Sequence, residues 1–271
     1  MGLSARPLSR YSRWRPWSRT STAGPRRTEL RNAGRHDLWF CVLAGIALAA
    51  HFAAWMPSVQ LGSVATATAL VATQPVWQGL IAMWQGRRPP AATWAGIAFA
   101  VAGAVWATGA DVRVSGRAVL ADVLALLGGL FAAVYTALGE RARTRLSTTT
   151  YTWICYGVCA VILLVVCLAV RAELFRYAAG TWAAIIALAA GAQLLGHSMF
   201  NYALHRTSAT TVSVLILLET PGAALLAWLW LGQAPRAAAL PGIALLLTGV
   251  AVVVFGNARS RPAVASPPVS P

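Results

Sequence analysis

Long apolar runs alternate with short polar breaks along most of the chain. Eight runs stand out, near residues 38–57, 63–85, 93–110, 119–139, 150–170, 181–204, 209–231 and 238–256. A bilayer core about 30 Å thick is crossed by roughly 20 helical residues, so each run is long enough to span it. Charge and turn residues gather in the breaks, among them PSVQLGS, QGRRPPAA, GERARTRLSTT and GQAPRAA. The pattern predicts an all-α polytopic membrane protein with about eight transmembrane helices. Residues 1–37 break the pattern, since they hold nine arginines with many Ser, Thr, Pro and Gly and no apolar core of signal-peptide length. They are expected to form a basic disordered segment that spans nothing, and the proline-rich residues 257–271 a disordered tail.

Composition agrees with a lipid environment. The 271 residues are 58% hydrophobic and 11% charged, with a mean hydropathy of +0.63. All 22 basic residues are arginine, set against 7 acids, for a net charge of +15. A nucleic-acid partner would require those arginines on one face of a soluble domain. Here they lie in short loops and the leading segment, so no nucleic acid is expected and the lipid bilayer is the environment. With the N-terminus inside, 17 arginines fall on the inner side and 5 on the outer. That asymmetry predicts cytoplasmic termini, and the expected location is a bacterial inner membrane. Helical spacing puts Cys155 and Cys159 on one face with no histidine or acid nearby in the segment, which fits small buried apolar residues better than a metal site or disulfide.

A shift of 146 residues lays the chain on itself without gaps. Pro75 meets Pro221, Gly86 meets Gly232, and Pro89 meets Pro235. Gly96 then falls on Gly242, Gly103 on Gly249 and, upstream, His51 on His197. Matching runs lie five spans apart, an odd number, so the two copies cross the bilayer in opposite senses. Inverted repeats of this kind build secondary transporters, with the substrate site near the midplane between copies.

Several stretches carry a further resemblance. They are ATQP and WQGRRPPAATWAGIAFAVAGAV in the first half, then ADVLALLGGLFAAVYTALGERA, LLGHSMFNYALHRTSA and LLETPGAALLAWLWLGQAPRAAALPGIALLLTGVAVV. Together they resemble the drug/metabolite transporter superfamily, specifically its EamA-like family of ten-helix carriers. The resemblance divides the chain into a partial first repeat at 38–110 and a second repeat at 119–256. It also implies that the first two of the ten helices are absent, because residues 4–24 carry too many arginines to span. A misassigned start, a frameshifted leader and a true eight-helix variant would all give this arrangement. The family's Gly-Glu pair is replaced here by Gly86-Arg87 and Gly232-Gln233.

Few residues are placed to do chemistry. Glu219 sits in mid-span, two residues before Pro221, where an acid costs about 2.5–3.5 kcal/mol to insert. Its counterpart is Thr73, so the carboxylate breaks the symmetry. It is either a proton-coupling or amine-binding group in the central cavity, or a structural acid bonding backbone opened by Pro221. His51 with Trp55, and His197 with Asn201, pair across one helical turn and are candidates for cavity lining or for interhelical hydrogen bonds. Gln74 precedes Pro75 at the matching kink. Asp122 is expected to cap its helix, and Glu140 to pair with Arg141 or Arg143 at the inner interface. No Walker loop, cofactor motif or metal-ligand spacing is present, and no nucleophile set supports an enzyme. The expected function is secondary transport, in the export direction, of small organic metabolites such as amino acids. Alternating access is the mechanism, with proton coupling and a homodimer left open. The alternative is a truncated, non-transporting membrane protein or interaction subunit.

Overall fold

The structure, a computed structural model, describes residues 29–30, 33–62, 64–108, 116–232 and 237–259. Most of the basic leading segment and residues 260–271 of the tail lie outside the described residues, as do the expectations made for them. The described chain is helical: α1 (Arg35–Leu61), α2 (Val64–Val71), α3 (Gln74–Trp84), α4 (Ala91–Thr108), α5 (Gly116–Ala142) and α6 (Thr148–Ala169) come first. Next, α7 (Ala179–Leu188) continues through a π-helical stretch (Ala189–His197) into α8 (Ser198–Ala203). The last elements are α9 (Ala209–Ile216), α10 (Glu219–Leu231), a 3₁₀ turn (Ala237–Ala239) and α11 (Leu240–Arg259).

Among the described residues, six stretches are long and apolar enough to cross a membrane. They are Arg35–Leu61, Gly116–Ala142, Thr148–Ala169, Ala179–Ala203, Ala209–Leu226 and Ala237–Gly256, with the shorter apolar helix Ala91–Ala107 beside them. The remaining expected run, 63–85, is two short helices. Pro75 has no N–H to offer the carbonyl four residues back, which removes a rung of the helix next to the place where it breaks. The chain tightens instead: the Thr73 N–H donates to the Leu70 carbonyl at 3.2 Å and the Thr73 hydroxyl to that same oxygen at 2.6 Å. Helix α3 then restarts with Pro75 in its first turn, where a missing donor costs little. A matching break recurs 145 residues on. Leu217 and Leu218 donate to Val214 and Leu215 at 3.1 and 3.0 Å, and α10 restarts at Glu219 just ahead of Pro221.

Two boundaries differ from the sequence pattern. Helix α1 runs through Pro57 to Leu61 rather than stopping at 57, with the Ser58 hydroxyl donating to the Trp55 carbonyl at 2.6 Å. Helix α5 begins at Gly116, so Asp122 lies well inside it and does not cap it.

Packing falls into two large clusters and a small third one of Leu204, Ala209 and Val212. Cys41, Leu48, Tyr135, Tyr151 and Cys155 join α1, α5 and α6, and the three cysteines of this cluster, Cys41, Cys155 and Cys159, are buried free thiols. Ile97, Ala100, Val214, Leu246 and Val253 join α4, α9 and α11. The second cluster closes on four glycines. A Cβ on Gly103 would lie 2.3 Å from the Leu246 nitrogen and 2.6 Å from the Gly242 oxygen. One on Gly249 would lie 2.3 Å from the Ala100 nitrogen and 2.5 Å from the Gly96 oxygen. Only residues without a side chain permit backbones this close. Gly96 thus faces Gly249 while Gly103 faces Gly242, so positions 146 apart exchange places across an antiparallel seam. The loops after α3 and α10 match as well, with Gly86 at φ +78° and Gly232 at φ +67°, a region open chiefly to glycine.

Alternate connections gather on opposite ends of the bundle. At one end, Arg87 meets Glu140, Glu140 meets the Ala209 N–H, and Arg145 lies 3.7 Å from Asp37. At the other, Arg117 donates to the Gln60 carbonyl at 3.4 Å and the Trp106 indole to the Ala238 carbonyl at 3.0 Å.

Candidate functional site

The two broken helices and the histidine-bearing segments supply the buried polar groups of the interior. On α1, the ring of Trp55 stacks on His51 with centroids 5.9 Å apart and planes 9° from parallel. His51 Nδ1 is 2.9 Å from the Gly128 carbonyl, so that nitrogen carries a proton and donates it. Gly128 is small enough for α1 to come this near, since a Cβ there would sit 3.3 Å from that of Trp55.

His197 ends the π-helical stretch. Its ring lies 6.2 Å from Phe52 and 6.1 Å from Tyr135, while Phe52 is 4.9 Å from His51. Both histidines therefore border one phenylalanine. Asn201, one turn on, is buried with its Nδ2 within 2.6 Å of the Tyr135 hydroxyl, 3.1 Å of the Tyr156 hydroxyl and 2.9 Å of the His197 carbonyl. An amide nitrogen has two protons, so it satisfies two of these three oxygens at a time.

Beneath Asn201 is a group that the sequence does not single out. Arg143 is only 1% exposed and donates from Nε to the Asn201 carbonyl at 3.2 Å and from Nη1 to the Leu146 carbonyl at 2.6 Å. It also bonds the Thr148 hydroxyl. Burial pushes its guanidinium down to about 10, which still leaves it charged at neutral pH. Three arginines share the GERARTRL stretch, and only the fold distinguishes the buried one.

On α3, Gln74 donates from Nε2 to the Thr136 hydroxyl at 3.2 Å, and that hydroxyl donates to the Ala132 carbonyl at 2.8 Å. One turn further, Gln78 is fully buried, and neither atom of its carboxamide has a partner among the described residues. The indole nitrogens of Trp55 and Trp77 are buried and unpartnered as well. Buried polar atoms are nearly always satisfied, so each of these is an exception, and Gln78, with both ends of its carboxamide unpaired, is the largest.

Glu219 occupies the first turn of α10, directly after the second break, and is exposed. Its position beside Pro221 is as expected, while Pro75 and Pro221 both mark breaks rather than bends. Glu140 does not pair with Arg141 or Arg143. Its carboxylate takes Arg87 from both nitrogens, at 2.9 and 2.7 Å, and accepts the Ala209 N–H at 3.2 Å. The loop after α3 folds over the end of α5, which brings a distant arginine nearer than those on its own turn. That bond raises the Arg87 guanidinium further above its ordinary range.

Discontinuous apolar helices around buried polar groups define a polytopic membrane protein of the transporter class. The chain belongs to the EamA-like transporter family, which matches residues 119–255 and so covers its second half. That family lies within the drug/metabolite transporter superfamily. A solved structure described only as "Crystal structure of protein" is 22% identical and has a TM-score of 0.67. It covers 83% of this chain, which covers 80% of it, and at that identity the likeness speaks for the fold alone. No curated protein matches the chain.

Proposed function

We propose that this chain is a secondary transporter that exports small organic metabolites, amino acids among them, by alternating access. The observation that carries the reading is the pair of helix breaks at Ala72–Thr73 and Leu217–Leu218, set 145 residues apart and so within one residue of the repeat register. Opened backbone inside a membrane is tolerated where it lines a cavity or binds a ligand. In this reading residues 38–110 and 119–256 are inverted repeats that pivot on the glycine seam. Gln74, His51, Trp55, His197 and Asn201 line or brace the central cavity, and Glu219 titrates as a proton-coupling carboxylate. The arginine-rich end of the bundle, with both termini, faces the cytoplasm of a bacterial inner membrane, following the positive-inside bias.

The test is efflux. Cells expressing the full chain are expected to enrich a defined set of metabolites in the medium relative to vector controls. Glu219→Gln should insert normally and abolish the pH-dependent part of that flux. If the glutamine variant transports with unchanged pH dependence, the acid is structural. If the intact chain moves no metabolite in either direction, the non-transporting alternative holds.

A further inference from the structure

The end of the bundle that carries Arg87 and Glu140 also holds a cavity of about 250 Å³ between the α3–α4 connection and the start of α9. Arg87, Arg88, Thr93, Thr207, Ser208 and Thr210 line it. Its charge is unbalanced. The Arg87 guanidinium is matched by both oxygens of Glu140, whereas Arg88 is exposed and makes no ion pair among the described residues. One positive charge is therefore left at a mouth ringed with hydroxyls.

The wall of the cavity leads inward. Ala82 lines it, and Gln78 lies one turn deeper on the same face of α3, with Gln74 a further turn along. Gln78 is the fully buried carboxamide without partners. Its counterpart 146 residues on is Ala224, so this polar stripe exists on one side only. A buried amide with both ends unsatisfied is costly unless it serves a ligand or solvent.

We propose that this cavity binds a small anion bearing a carboxylate or phosphate group. Arg88 supplies the charge, the hydroxyls supply orientation, and Gln78, one turn beyond the lining residue Ala82, is the first hydrogen-bonding group of the stripe leading inward from it. The binding claim stands on the cavity; only its use as the entrance for an anionic metabolite rests on the transport reading. The same chemistry suits a free solute or an anionic lipid headgroup reaching in from the interface.

Thermal unfolding of the full-length protein separates these sources. In nanodiscs of neutral lipid, inorganic phosphate at millimolar concentration should raise Tm in a saturable manner. Arg88→Gln should weaken that binding about tenfold or more, as expected for a lost charge-assisted contact. Gln78→Leu should weaken it several-fold without lowering Tm in the absence of phosphate. Arg176→Gln, at the opposite end, should change nothing. Stabilisation by phosphatidylglycerol nanodiscs but not by phosphate, lost in Arg88→Gln, would assign the site to a headgroup. No stabilisation from either source overturns the proposal, and so does equal loss in Arg88→Gln and Arg176→Gln. A chain that binds phosphate through Arg88 yet moves no metabolite would keep the site and remove the transport reading.

Discussion

Gly45 and Gly191 occupy the same place in the 146-residue register and have opposite surroundings. A Cβ on Gly45 would come within 2.6 Å of the Cys155 carbonyl oxygen and 2.8 Å of the Val158 Cβ, so α1 is pressed against α6. A Cβ on Gly191 meets nothing within 4 Å. The contrast extends along both segments. Helix α1 buries Cys41, Leu48 and His51 against α5 and α6, whereas α7 and the π-helical stretch bury no residue. Only α8, at Asn201, is drawn into the bundle. A small residue at a periodic position is therefore a capacity for close contact, realised only where another helix arrives. At the α4–α11 seam both members of each pair realise it; between Gly45 and Gly191 one does.

Alanine substitutions break that comparison most sharply at the seam. Gly103→Ala and Gly249→Ala each force a methyl onto a backbone nitrogen 2.3 Å away and should cost about 3 kcal/mol, seen as a large fall in thermal midpoint or loss of a monodisperse particle. Unchanged melting of either variant would mean that the seam is not closely packed. The next pair bears on the contrast itself. Gly45→Ala should lose about 1–3 kcal/mol while Gly191→Ala stays within about 0.5 kcal/mol or gains helix propensity. Equal losses in the two would show that Gly191 is covered in the folded protein. A smaller effect is expected at the one anchored point of the open segment. Asn201→Leu frees the Tyr135 and Tyr156 hydroxyls and should cost about 1 kcal/mol, read as faster hydrogen exchange over 198–203. The smallest belongs to Arg87 and Glu140. Their exposed pair should contribute about 0.2–1 kcal/mol, and the difference between wild type and Glu140→Gln should shrink in high salt.

Much of the fold is legible in the sequence because lipid imposes simple rules on it. Run length marks the spans, and the recurrence of Pro75 at Pro221 and Gly86 at Gly232 marks the breaks and the turns, since each of those residues acts through its own backbone. The interior polar groups are less legible because their partners come from distant segments. Nothing in GERARTRL distinguishes buried Arg143 from its neighbours, and nothing near Glu140 names Arg87 as its partner. Gln78 leaves a trace that the pattern of spans hides. Setting Thr73 against Glu219 draws attention to the acid, and setting Gln78 against Ala224 draws it to the carboxamide in the same way. Asp122 misleads for a different reason: the first turns of α5 are too weakly apolar for the pattern to locate its start.

The contact made by Glu29 bears on the order in which the protein is put together. Its carboxylate accepts the Ser147 N–H at 2.6 Å, the Ser147 hydroxyl at 2.8 Å and the Thr150 hydroxyl at 2.8 Å, at the start of α6. The first of these donors leaves the ribosome 118 residues after Glu29 itself. This contact can therefore form only after five helices have been made and α6 has begun. A protease site placed just ahead of Glu29 would report the moment of fastening, cut readily in chains arrested before residue 147 and protected in longer ones.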